Sequence, residues 1–155
     1  MVAFVIPTLM ASSAAAHCEM PCGIYTDSLR FSMMREDADT IEKAMNEITN
    51  LERKKPVQHH QLVRWIDTKE DHANKVQEIV SQYFLTQRIH EDNKNYVEQL
   101  KVLHQLLVTA MKCKQSTDLA NVKKLRDLIQ TFEGLYFEKK GKIDKKTKPD
   151  NKSNK

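Results

Sequence analysis

Residues 26–50 read TDSLRFSMMREDADTIEKAMNEITN. The apolar positions Leu29, Met33, Met34, Ala38, Ile41, Met45 and Ile48 recur at intervals of three and four. That spacing lays one stripe along an α-helix and is incompatible with the alternation of a half-buried strand. Thr26 or Asp27 is placed to cap the start, and Lys54-Lys55-Pro56 ends the run. A row of methionines at this spacing reads as core packing rather than as a soft metal-binding surface.

The same period continues downstream. A second helical region covers about residues 57–88, with Leu62, Trp65, Ile66, Ala73, Val76, Val80, Tyr83 and Phe84 marking its buried side. Asp67-Thr68 followed by Glu70-Asp71 resembles a capping box, which predicts two helices or one kinked helix here. After a break at Glu91-Asp92-Asn93, a third helix carries Tyr96, Val97, Leu100, Leu103, Leu106, Leu107, Ala110 and Met111. Ser116-Thr117-Asp118 stops it and caps a fourth, with Leu119, Val122, Leu125, Leu128, Ile129, Phe132, Leu135 and Tyr136. Four amphipathic helices with short links predict an all-α, antiparallel four-helix bundle over residues 26–138.

Composition agrees. The 155-residue chain has only three glycines and 6% aromatics, which favours helix over a turn-rich β fold. No apolar run reaches the roughly twenty residues of a membrane span. The net charge of +4 is a property of the tail: residues 139–155 hold eight of the 25 basic residues and two of the 21 acidic ones, which leaves residues 1–138 with 17 against 19. The tail, without aromatics or helical period, reads as a solvated, disordered end rather than a nucleic-acid-binding arm.

Chemistry concentrates before the bundle, in His17-Cys18-Glu19-Met20-Pro21-Cys22-Gly23-Ile24-Tyr25. Residues 1–16 precede it as an apolar stretch ending in Ala14-Ala15-Ala16, a pattern that a signal-type peptidase cuts. Cleavage there makes His17 the N-terminus. Its free amine and the Cys18 amide nitrogen then close a five-membered chelate ring, and that amide with the Cys18 sulfur closes another. The His17 imidazole closes a six-membered ring back to the amine, and Cys22 returns a second thiolate through the turn at Pro21. Two nitrogens and two sulfurs with an imidazole above form a tetragonal set, which suits Ni(II) or Cu(II) better than zinc. The competing reading is an exported, non-enzymatic helical-bundle interaction protein with a Cys18–Cys22 disulfide. Cys113, among Leu106, Leu107, Ala110 and Met111, reads as a small buried hydrophobe.

The run His17-Cys18-x-x-Pro21-Cys22-Gly23-x-Tyr25 resembles the nickel-binding hook of the nickel superoxide dismutase family. The resemblance implies a nickel cofactor held by His17, Cys18 and Cys22, alternating between Ni(II) and Ni(III) while superoxide becomes oxygen and hydrogen peroxide. It also implies removal of residues 1–16 by a maturation peptidase, a four-helix subunit, assembly into a homohexamer and a cis bond between Met20 and Pro21. Tyr25 would stand beside the open face of the metal. Ser81-Gln82-Tyr83-Phe84 resembles a Tyr-Phe pair in the family, and by that likeness Tyr83 also approaches the metal. Glu19 stands where many members have aspartate. The family supports its histidine ligand with acidic and basic neighbours, for which Glu36 and His72 are the candidates. The leader, lacking a basic start, leaves two destinations open, and export or the periplasm is preferred to the cytoplasm.

Overall fold

The computed structural model describes residues 26–138. The leader, the hook with the Met20–Pro21 bond, Tyr25 and the basic tail lie outside the described residues. Within them are helices α1 (Asp27–Glu52), α2 (His59–Glu78), α3 (Tyr96–Gln115) and α4 (Leu119–Phe137), and α2 continues directly into a π-helical segment, Ile79–Leu85. No strand occurs among the described residues.

Cross-helix contacts fix the topology. Asp37 of α1 meets His72 of α2, Lys69 and Gln77 of α2 reach Cys113 and Leu107 of α3, and Gln99 of α3 reaches Leu135 of α4. Arg35 pairs with Glu133, and Arg126 with Asp39 and Glu42, closing α4 onto α1. Lys43 over the Trp65 ring and Asn95 on Glu138 add a second contact between α1 and α2 and between the ends of α3 and α4, and in each pairing one number rises as the other falls, so neighbours are antiparallel and the ring runs up, down, up, down. The expected bundle is borne out. It places the start of α1 beside the ends of α2 and α4.

The core is nearly continuous and its upper end is aromatic. Phe31, Phe84 and Phe132 are each 0% exposed. Their ring centroids lie 4.9 Å (Phe31–Phe84), 5.3 Å (Phe31–Phe132) and 4.8 Å (Phe84–Phe132) apart, and Tyr136 leans on all three at 5.4–5.7 Å. Tilted and edge-on pairs of this kind add to the burial of the rings themselves. Phe31 belongs to the α1 stripe, one turn before Met34, although the periodic reading passed over it. Leu29, which that reading placed inside, is 49% exposed. It lies on the far side of the helix from Phe31, two residues away.

Other boundaries differ from the sequence reading in instructive ways. The capping-box pattern at Asp67 to Asp71 ends nothing: Thr68 donates to the Arg64 carbonyl one turn back, and α2 runs straight through. The irregularity falls at Ile79–Leu85 instead, where Thr86 Oγ1 donates to the Ser81 carbonyl and Gln87 Nε2 to that of Gln82, each across five residues. Ile66, Val97, Met111 and Leu119 were expected to be buried and are exposed, while Leu62 and Trp65 are half-buried. Lys69 and Gln99 take core positions in their place because each meets a partner. Lys69 Nζ donates to the carbonyls of Cys113 and Lys114, satisfying the end of α3, and Gln99 Nε2 donates to Leu135 at 3.2 Å. Asp118 caps α4 as expected, accepting from Ala120 N at 2.9 Å.

Truncating the centre of the aromatic cluster tests this packing. Phe84→Ala should lower unfolding stability by about 3–5 kcal/mol, read from chemical denaturation, because the four rings around it, of Phe31, Tyr83, Phe132 and Tyr136, lose their contacts at once.

Candidate functional site

The end of the bundle that receives the chain from the hook carries an unusual polar group. Thr26 occupies the N-cap position of α1 but makes no side-chain cap bond, and Asp27, the alternative cap, is turned to another use. Its Oδ1 accepts from the Tyr83 hydroxyl at 2.5 Å and its Oδ2 from the Tyr136 hydroxyl at 2.9 Å. Arg88 Nε lies 3.2 Å from Oδ1, and Arg88 Nη2 lies 3.3 Å from the Tyr83 oxygen. Three segments thus meet at one carboxylate: the first turn of α1, the π segment with the residues just after it, and the last turn of α4.

Local structure explains why each side chain is there. The wide turn of the π segment keeps Val80, Tyr83 and Phe84 all on the buried side, with Tyr83 5% exposed. Single π turns inside α-helices recur at functional sites. The Tyr83 ring packs edge-on against Phe84 at 5.2 Å, and the guanidinium carbons of Arg30 and Arg88 lie 5.1 and 4.9 Å from its centroid. A carboxylate in the first turn of α1 also faces the positive end of that helix.

Electrostatics follow from these contacts. Burial first, and the Asp27 carboxylate second, push both phenols above their ordinary titration range, Tyr136 the further. Both therefore keep their protons at neutral pH. The bond to Tyr83, opposed by some burial, raises Arg88 as well.

Tyr83 is the single predicted site residue inside the described region, and the structure places it at this cluster. His17, Cys18, Cys22 and Tyr25 lie outside the described residues, as does Glu19. Of the two candidate supporters, Glu36 is exposed, while His72 Nδ1 lies 2.7 Å from Asp37 Oδ1 between α1 and α2, so the acidic partner is the neighbour of the one named from sequence. Asp27, Arg88 and Tyr136 were missed as site residues. Read alone they are a cap, a helix end and a core aromatic; only the antiparallel topology puts them at one end.

Among the described residues no group of three or more His, Cys, Asp or Glu side chains could hold a metal ion. Cys113 is fully buried, and its thiol is pushed up to about 11 by desolvation, against which the charge of Lys69 works. It remains an inert thiol.

The family model described as nickel-containing superoxide dismutase matches residues 12–140, most of the chain. The chain belongs to that family. It is accordingly an oxidoreductase that disproportionates superoxide, with nickel as its cofactor. Neither a curated protein nor a solved structure matches it. No helix among the described residues is long and apolar enough to cross a membrane.

The Asp37–His72 contact gives a test with a definite sign. Desolvation outweighs the histidine's hydrogen bond and raises the Asp37 carboxyl above its ordinary value. A raised carboxyl contributes stability that is complete below the unfolded value and is lost as pH rises through the folded one. Asp37→Asn should therefore match the parent in acid and equal or exceed it near neutral pH, by no more than about 1 kcal/mol. Thermal unfolding across pH 3–7 reads the difference.

Proposed function

We propose that nickel is held by the His17 amine and imidazole, the Cys18 amide nitrogen and thiolate, and the Cys22 thiolate, after residues 1–16 have been removed. The observation that carries this reading is the donor set itself, met by a family match that spans it. In this site nickel supplies the one-electron chemistry, passing between Ni(II) and Ni(III).

The chain's own residues have four tasks. Cys18 and Cys22 bind as thiolates, whose electron donation favours the higher oxidation state. The amine of His17 must shed a proton to bind, so loading should weaken below about pH 7, where α-amino groups are protonated. Disproportionation turns two superoxide anions and two protons into one oxygen and one hydrogen peroxide, so protons must be at hand. Tyr25 and Tyr83 are assigned to that end: they orient the anion and hold protons beside it. Cys22 lies five residues before Asp27, and five extended residues span at most about 18 Å, which ties the hook to the end of the bundle that carries Tyr83. Finally, the site must limit access, since thiolates beside peroxide move readily to sulfenic and sulfinic acids.

A maturation peptidase that cuts after Ala16, and assembly into a homohexamer that shelters the hooks, complete the proposal. Both rest on the family resemblance.

Comparing processed protein with protein that retains Met1 tests the reading. Processed chains should begin at His17, carry about one nickel each and disproportionate superoxide. Uncut chains should bind nickel weakly and be inactive, and Cys18→Ser or Cys22→Ser should abolish both properties. Equal activity of the uncut form, or a metal-free mature chain with a Cys18–Cys22 disulfide, would overturn it.

A further inference from the structure

Tyr83 does not stand alone at the end of the bundle. We propose that Asp27 is a positioning residue for the dismutation: by accepting from Tyr83 and Tyr136 together, its carboxylate fixes the Tyr83 hydroxyl beside the chain leading to the hook. The inference rests on the role given to Tyr83 above.

The arrangement has more order than packing requires. A half-buried phenol at a bundle end can be satisfied by water. Here each oxygen of one carboxylate instead has its own phenol, at 2.5 and 2.9 Å, from two different helical segments. Arg88 touches both Asp27 and Tyr83, so carboxylate, phenol and guanidinium close a triangle that leaves the Tyr83 hydroxyl little freedom. Thr26, the N-cap of α1, makes no side-chain cap bond, and the Asp27 carboxylate in the first turn is given to the two phenols. Asp27 is also the first helical residue after the hook, so the carboxylate that holds Tyr83 sits where the chain from the hook enters α1.

Among the described residues, the charged groups that face Tyr83 include Asp27 and Arg30 from α1 and Arg88 from beyond the π segment, with Tyr136 of α4 on the other carboxylate oxygen. Asp27 is the acceptor among them. An anion beside a phenol opposes its ionisation, so the carboxylate both aims Tyr83 and keeps its proton in place.

The experiment uses nickel-loaded, processed enzyme with Asp27→Asn, Tyr83→Phe and the double variant. Asp27→Asn should bind nickel as the parent does, lower kcat with little change in KM, and bring the alkaline limb of the pH profile down by about one unit. Tyrosinate absorbance should show phenols ionising at lower pH in this variant. In the Tyr83→Phe background the same substitution should have no further effect on kcat, because Asp27 would act through a hydroxyl that is gone. Additive losses, or an unchanged profile and titration in Asp27→Asn, overturn the proposal. Asp27→Glu serves where the amide variant folds poorly; it should keep phenol ionisation high and recover most of the activity, and recovering none counts against the proposal. If Tyr83→Phe impairs dismutation while Asp27→Asn does not, the role of Tyr83 stands and that of Asp27 falls. If Tyr83→Phe leaves dismutation intact, both fall.

Discussion

A single carboxylate at the first turn of α1 joins the three segments that end together. Asp27 takes a hydrogen bond from the π segment on one oxygen and from α4 on the other. This is possible because the aromatic rings beneath it have already set the distances. Phe31 stands one turn below Asp27, and its contacts with Phe84 and Phe132 hold α1, the π segment and α4 at a spacing that leaves both phenols in reach. The energetic weight lies in the rings, since buried aromatics contribute far more than one partly exposed hydrogen bond. The carboxylate supplies direction. Apolar packing brings helices together without specifying where a hydroxyl points, whereas a phenol donating at 2.5 Å has essentially one orientation.

The far half of the bundle is held differently. Buried Lys69 donates to the last carbonyls of α3, and the partly exposed pairing of Arg126 with Asp39 and Glu42 aligns α4 on α1. Such surface pairs contribute little to stability singly, so their value is register. The two ends thus divide the labour. One end is tied by backbone satisfaction and exposed charge, the other by rings capped with a shared carboxylate that accepts from two phenols.

Much of this was legible before any coordinates. Helix number, order and antiparallel packing followed from apolar spacing and from breaks at Lys54-Lys55-Pro56, Glu91-Asp92-Asn93 and Ser116-Thr117-Asp118. A strict three-and-four count misjudged places where burial depends on the neighbour. Leu29 fitted the spacing at the end of the stripe yet faces outward, while Lys69 and Gln99 fitted no apolar pattern and are buried because carbonyls await them. The π segment left no trace in periodicity, since one wide turn shifts a stripe by less than the stripe's own width. The polar cluster was illegible for another reason. Asp27, Tyr83, Arg88 and Tyr136 are far apart in sequence and carry no shared motif; they become a group only once the topology is known. The hook is the reverse case: its proposed ligands stand close together in sequence, and they lie outside the described residues.

That contrast bears on how such an enzyme can be built. A metal site made from a short terminal peptide owes little to the scaffold for its donor atoms, so the scaffold is left with what a peptide cannot do: hold protons near the ion, aim them and restrict access. Phenols suit the first task only if they stay protonated at the working pH, and burial with a neighbouring carboxylate pushes both tyrosines that way. The same separation explains how three cysteines coexist with superoxide and peroxide. Thiolate character sets susceptibility to oxidation, and Cys113, desolvated inside the bundle, remains a thiol. Cys18 and Cys22, the thiolates of the proposed site, belong to another segment of the chain, where a bound metal would protect them by coordination. Scaffold and peptide are suited to opposite protonation states: one keeps its phenols and its thiol protonated, the other must lose its protons to bind.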